Sequence, residues 1–397
     1  MLEDISSRKH TGQAASNHLE RILSGLSADD AYIIERIIAK DLKIGIGGNI
    51  NKVIPGLIEQ IPYQGAKPYN IKLITDLLNE GSVYCDLKMD GRYNSAIIYG
   101  GDVVNESRQG EGVFLNHGAV IGELKKFHDC VLNGELTIDG ENNRARANGI
   151  ITSLIDITKK QFTRSGSETD KKIFAFEKEH NTTIDEMVNR VVYTVWDMIT
   201  LEEYSNASSK TPYSERWGNL VSIINEHNFT RIKLVDKKEC TSLNEIMTYF
   251  SECLNKGLEG IIVKSKNSGW IDGKHNHQIK MKLEIDVDLE VIGFNYGEKG
   301  KKNEKLISSL QCKSRDGLLF TEPCGMDEKL MKYVTENMDT LLCKIVHVKS
   351  CGITTTANGN SLLHPRVGIQ RFRDDKIIGD SLAEIIAIED MVKGLLS

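Results

Sequence analysis

The sequence predicts a multi-domain α+β protein: a short helical module over 1–78, a larger domain with antiparallel sheets over 79–284, and a small β-barrel over 285–397. Three observations carry this reading. The length of 397 residues is two to three times that of an ordinary domain. An apolar fraction of 40% and a charged fraction of 27% are those of a folded globular chain, which excludes disorder, collagen and coiled coil. The spacing of apolar residues changes near Gly81 and again after Glu284, from helical to strand-like and then to short strands with glycine- and lysine-bearing turns.

In the first module, Ser27 followed by Asp30 predicts a helix cap, and Ala31, Ile34, Ile37 and Ile38 recur at helical spacing. Leu42 to Lys52 is a glycine-rich loop whose glycine and lysine spacings differ from those of a phosphate loop. Its Gly45–Lys52 part could offer backbone amides to phosphates or simply join helices. A second helical patch runs from Ile71 to Leu78. Beyond Gly81, SVYCDLK alternates, with Val83, Cys85 and Leu87 on one face and Tyr84, Asp86 and Lys88 on the other. VVYTVWDMI and EGIIVK read as further strands, and the mixed-charge run Thr163–Glu179 as a solvated surface excursion. After Glu284, DVDLEVIGF, LISSLQCKS, GLLFTE and LLCKIVHVKS read as short strands with one helical patch near Glu328–Met338, which suits a small closed barrel of the OB type.

No apolar run approaches the roughly eighteen residues of a membrane span, and MLEDISSRKH is too polar for a signal peptide. A cytoplasmic protein with no membrane partner is expected. The eight cysteines form no CxxC pair, which argues against structural zinc and for free thiols in a reducing compartment. A net charge of −6 excludes a chain that is basic all over, but a local basic lining is enough for phosphate contacts.

The sharpest local feature is KMDGR, Lys88 to Arg92. Alone, Asp-Gly between alternating runs signals a hairpin. A lysine attacking a nucleotide α-phosphate would need metal-holding carboxylates, further cations for the phosphates and an aromatic for the base. The chain supplies each in order: Glu135 in NGEL, Trp196 in VWDM, Glu259 and Lys264 in EGIIVK, Lys280 and Lys282 on one strand face in IKMK, and RFRDDK at Arg371–Lys376.

This ordered set, with Ser-Arg-x-Gly at Arg108, resembles the ATP-dependent DNA ligases of the covalent nucleotidyltransferase superfamily, above all those of tailed bacteriophages. NRARANGI and KMKLEIDVDLEVIGF are similar to stretches of such enzymes, and the match runs from about Leu42 to Leu382. The resemblance implies a helical DNA-binding module, a nucleotidyltransferase (adenylation) domain and an OB-fold. It implies a monomer that seals nicked double-stranded DNA with ATP and Mg2+, in a bacterial or phage-infected cytoplasm. Lys88 would form the AMP phosphoramidate. Asp86 stands where a glutamate often lies beside adenine, and Trp196 would stack on that base. Glu135 would touch the ribose or a metal, and Glu259 a metal. Arg108 would meet the adenylate or the nick 5′-phosphate. Lys280 and Lys282 would hold the α-phosphate, with Lys264 and Arg92 also toward the nucleotide. Arg373, Asp375 and Lys376 would orient pyrophosphate in the first step.

The chain departs from the family pattern in three ways. The usual order is Lys-x-Asp-Gly-x-Arg, but Tyr93 occupies the arginine's position and Arg92 comes one residue early, which in an extended segment points it to the other face. Asn133 stands where an Asp often precedes Gly-Glu-Leu. The stretch before the catalytic domain is shorter than the complete DNA-binding domain of larger relatives, which leaves open whether the duplex is fully encircled. An RNA ligase or capping guanylyltransferase, and a non-catalytic nucleic-acid-binding relative, are the competing readings. Adenylation by ATP rather than GTP and sealing of nicked DNA separate them.

Overall fold

The computed structural model describes residues 12–38, 61–108, 118–141, 144–163, 167–356 and 359–395. The glycine-rich loop at Leu42–Lys52 lies outside the described residues, as do Gln109 and Gly110 of the Ser-Arg-x-Gly motif. The chain divides into two compact units, Met1–Gln60 and Ile61–Ser397.

In the first unit, helices Gly12–Leu23 and Ala28–Ile38 are joined by a short turn. Ser27 caps the second: its Oγ accepts from the Asp30 backbone N–H at 3.1 Å and donates to the Asp30 carboxylate at 2.7 Å.

The second unit is built on three five-stranded sheets. The first runs Gln64–Pro68, Gly273–Lys282, Gly260–Ser265, Val83–Leu87, Lys237–Cys240, antiparallel except for the parallel pair at its Gln64–Pro68 edge. The second runs Asp102–Glu106, Arg92–Tyr99, Cys130–Ile138, Val191–Thr200, Ile232–Leu234, antiparallel except for its last pair. The third, antiparallel throughout, runs Phe320–Thr321, Ile307–Lys313, Ile285–Tyr296, Ile345–Ser350, Arg366–Arg373. Its two edges are drawn together at the parallel bridge between Cys324 and Arg366, where Val367 N–H donates to the Cys324 carbonyl at 2.9 Å. The chain therefore has the expected α+β, multi-domain class, with the OB-type sheet partly open rather than fully closed.

Packing follows the alternation of each strand. Val83 and Cys85, Ile261 and Val263, and Ile279 and Met281 turn the same way and bury against Ile74 and Leu77 of helix Ile71–Asn79 and against Ile246 and Phe250 of helix Leu243–Asn255. This apolar layer continues into Val287, Leu289 and Val291 of the third sheet. A separate core lies behind the second sheet, where Leu132 and Leu136 meet Ile151 and Leu154 of helix Arg144–Thr163. The expected surface excursion at Thr163–Glu179 is instead a helix over Ser167–His180, tied into that core by Phe176, which is 5% exposed. One aromatic and the half-buried Ile173 at helical spacing suffice to anchor an otherwise charged helix.

The Asp-Gly hairpin reading also gives way. Val83–Leu87 and Arg92–Tyr99 belong to different sheets and do not pair, so Lys88–Gly91 is a crossing from the first sheet to the second. Among the described residues no helix is long and apolar enough to cross a membrane.

Candidate active site

The crossing sets the position of Lys88. Its backbone N–H donates to the Gly260 carbonyl at 2.9 Å, which carries the ladder one residue past Leu87. Gly91 then passes so close to the second sheet that a Cβ there would stand 2.3 Å from the Leu136 carbonyl oxygen. Only glycine allows that approach, and the Gly91 N–H uses it to donate to Glu135 Oε2 at 2.6 Å. Lys88 Nζ donates to Glu259 Oε2, both side chains being largely but not wholly covered.

Between the two sheets lies a cavity of about 400 Å³. Of the residues singled out in the sequence, Asp86, Lys88, Arg108, Glu135, Trp196, Lys264 and Lys280 line it, together with Tyr63, Lys274 and Gln278, for which no local signal exists. Burial pushes the Glu135 carboxyl up to about 7, with Glu259 adding to the rise and the Gly91 N–H and Lys88 opposing it. Burial likewise lowers the Lys280 ammonium, reinforced by Lys282, Lys274, Lys88 and Arg108 around it. A concentration of cations around a partly covered cavity is an anion receptor.

Asp86 is more deeply engaged than its place in the sequence suggests. It is 2% exposed and receives Lys237, Lys264 at 2.7 Å and Tyr213 Oη at 2.7 Å. Burial alone would raise this carboxyl, but Lys264 and Lys237 outweigh it and hold it below its ordinary value. Lys237 in turn stands over the rings of Tyr84, Tyr213 and Trp217. Beside this network, Arg216 meets the Asp197 carboxylate with two hydrogen bonds, at 2.8 and 2.9 Å. Asn133, where the family pattern often has Asp, accepts from Trp270 Nε1 at 3.2 Å.

The remaining expected residues stand apart from the cavity. Arg92 faces helix Arg144–Thr163 and donates to Thr152 Oγ1 at 3.2 Å, so the one-residue shift does send it to the other side of the strand. Lys282 reaches Cys351 Sγ at 3.0 Å. Arg373 and Lys376 gather on Asp288 of the third sheet, and Arg373 also grips Asp375 at 2.7 and 2.8 Å. These carboxylates hold the Arg373 guanidinium above its ordinary value.

Comparison with known proteins places the chain in a family. The family model described as ATP dependent DNA ligase domain matches residues 65–282. The DNA ligases of Enterobacteria phages T4 and T6 are each 27% identical over 308 residues, covering 73% of this chain and 62% of their own length. The chain thus spans less than two thirds of these relatives. A solved structure described as "Pmar-Lig_Pre." superposes with a TM-score of 0.66 at 18% identity, over 94% of this chain and 83% of the other. Another, from a study of Lig E DNA ligases, gives 0.53 at 16% identity, over 80% of this chain and 100% of the other. At such identities the two structures establish the fold alone. The chain belongs to the ATP-dependent DNA ligase domain family.

Proposed function

We propose that this protein is an ATP-dependent DNA ligase that joins a 3′-hydroxyl to a 5′-phosphate at a nick in duplex DNA. The observation that carries the reading is Lys88 Nζ hydrogen-bonded to Glu259 at a cavity lined by Lys280, Lys274, Arg108 and Trp196.

The chemistry follows from those positions. Lys88 passes a proton to Glu259 and attacks the α-phosphorus of ATP. A nitrogen–phosphorus bond forms, the bond to the bridging oxygen breaks, and pyrophosphate leaves. An oxygen of the nick 5′-phosphate then attacks the same phosphorus, displacing Lys88 and leaving a DNA-adenylate. The 3′-hydroxyl attacks the 5′-phosphorus, and AMP departs as the phosphodiester closes. Lys280, Lys274 and Arg108 neutralise phosphoryl charge during these displacements, while Trp196 offers a ring face to the adenine.

Glu135 and Glu259 suit a hard divalent cation. Both are oxygen donors, and the burial and like charge that push the Glu135 carboxyl up to about 7 would be relieved by a bound cation. Mg2+ draws much of its shell from water and phosphate oxygens, so two carboxylates would suffice to seat it. When bound, Mg2+ would supply charge neutralisation at the reacting phosphates. Arg373 and Lys376 are held at Asp288 and Asp375 is held by Arg373, so a step-one role for them calls for the third sheet to swing toward the cavity.

Intact-protein mass spectrometry after incubation with Mg2+ and ATP, and separately with GTP, tests the reading. The expected result is a gain of one AMP with ATP only, lost on adding pyrophosphate or nicked DNA and absent in Lys88→Ala. A gain with GTP alone, or an adduct that survives Lys88→Ala, would overturn it.

A further inference from the structure

The Arg108 guanidinium is held in an unusual way. Its carbon lies 4.5 Å from the ring centre of Tyr63 and 5.5 Å from that of Tyr93, and the two rings meet edge to face at 4.8 Å and 85°. Among the described residues this guanidinium makes no ion pair and no hydrogen bond, in contrast to Arg216, whose donors are spent on Asp197, and Arg373, whose donors are spent on Asp288 and Asp375. We propose that Tyr63 and Tyr93 form an aromatic bracket that presents Arg108 to the cavity as a receptor for a phosphoryl group.

Each half of the bracket is fixed by a different sheet. Tyr93 is 7% exposed and pairs across the ladder with Glu135, so its ring is locked to the same rung as a carboxylate of the cavity. The Tyr63 N–H donates to Asp272 at 2.8 Å, and its carbonyl accepts from the Gly273 N–H at 2.9 Å, just before the first-sheet edge strand Gln64–Pro68. Ring faces hold a planar cation by its charge and shape while leaving all its N–H donors unspent. Those donors match two oxygens of one phosphoryl group, and Arg108 shares its cavity with Lys88, Lys274 and Lys280. Tyr93 stands where the family pattern has an arginine. Its ring lies instead beneath the Arg108 guanidinium. Tyr63 and Tyr93 are positioning residues that act through Arg108.

The phosphoryl group could belong to ATP or to the 5′ end of nicked DNA, and this inference rests on the ligase reading for its substrates. Two arms separate the sources. One follows the rate of lysyl-AMP formation against ATP concentration. The other measures binding of nicked duplexes with and without a 5′-phosphate, which needs no turnover and so keeps a failure of the ligase reading distinct from a failure of the bracket. Tyr63→Leu should weaken half-saturation by about two- to fivefold in one arm, the scale of a cation–π contact to an exposed guanidinium, with a smaller change in maximal rate, and Tyr63→Phe should rescue it. In an Arg108→Ala background Tyr63→Leu should add nothing. Wild-type behaviour of Tyr63→Leu in both arms, or an equal loss without Arg108, would overturn the proposal. Should Tyr63→Leu fail to fold, Arg108→Lys carries the test. It keeps the charge but loses the planar fork and must show the same loss, and wild-type binding by that variant would overturn the bracket as well.

Discussion

Asp86→Asn removes the negative charge that two buried ammonium groups share. The Lys237 and Lys264 side chains are 7% and 4% exposed, and both reach a carboxylate that is itself 2% exposed. Asparagine nearly matches aspartate in volume, so the loss is one of charge. Removing one partner of a buried ion pair costs about 3–5 kcal/mol, which in a protein of this size lowers Tm by on the order of 10 °C. The pH dependence has a definite sign. Burial lowers Lys237 from 10.5 to about 8 even with Asp86 beside it. Between those values the unfolded chain binds more protons, so this lysine makes stability rise with pH. Without Asp86 its folded value falls further, and the neutral amine has no need of a carboxylate. The deficit of Asp86→Asn should therefore be largest at pH 7 and narrow by roughly 1 kcal/mol toward pH 9. Calorimetry of wild type and variant at both pH values measures this. A Tm within 2 °C of wild type at pH 7, or a deficit that widens as pH rises, would refute the reasoning.

Gly91→Ala places a Cβ 2.3 Å from a backbone oxygen that cannot swing aside. It should cost about 1–3 kcal/mol in thermal unfolding and slow single-turnover lysyl-AMP formation more than stability alone explains, because the crossing also carries Lys88; equal rates would contradict the assigned geometry. Among the described residues, Arg92→Ala removes one hydrogen bond, to Thr152. It should change stability by no more than about 0.5 kcal/mol and leave adenylation intact, and a loss of adenylation would return Arg92 to the site.

Much of the site is legible in the chain because its grouping depends on local geometry. Alternation along a strand puts Lys280 and Lys282 on one face, and an Asp-Gly turn after SVYCDLK exposes a lysine at a strand end. The same local rules could not say where that turn leads, since a hairpin and a crossing between sheets share one signal and differ only in the strands they join. Likewise Lys280 lines the cavity while Lys282, on the same face, meets Cys351, because the third sheet packs against the end of that strand. The partners of Asp86 were beyond reach for a related reason. Tyr213 lies 127 residues along the chain from it and Lys237 lies 151 away, and nothing in VDKKEC distinguishes a caged ammonium from a solvated one. Strand periodicity, turn chemistry and the ordered motifs are properties of neighbouring residues, so the α+β class, the family and most of the cations around Lys88 are readable along the chain. The bracket of Tyr63, Tyr93 and Arg108, the Asp86 network and the capture of Arg373 and Lys376 by Asp288 were decided only by the tertiary structure. Each joins side chains from distant segments, and burial rather than spacing fixes which charges face one another.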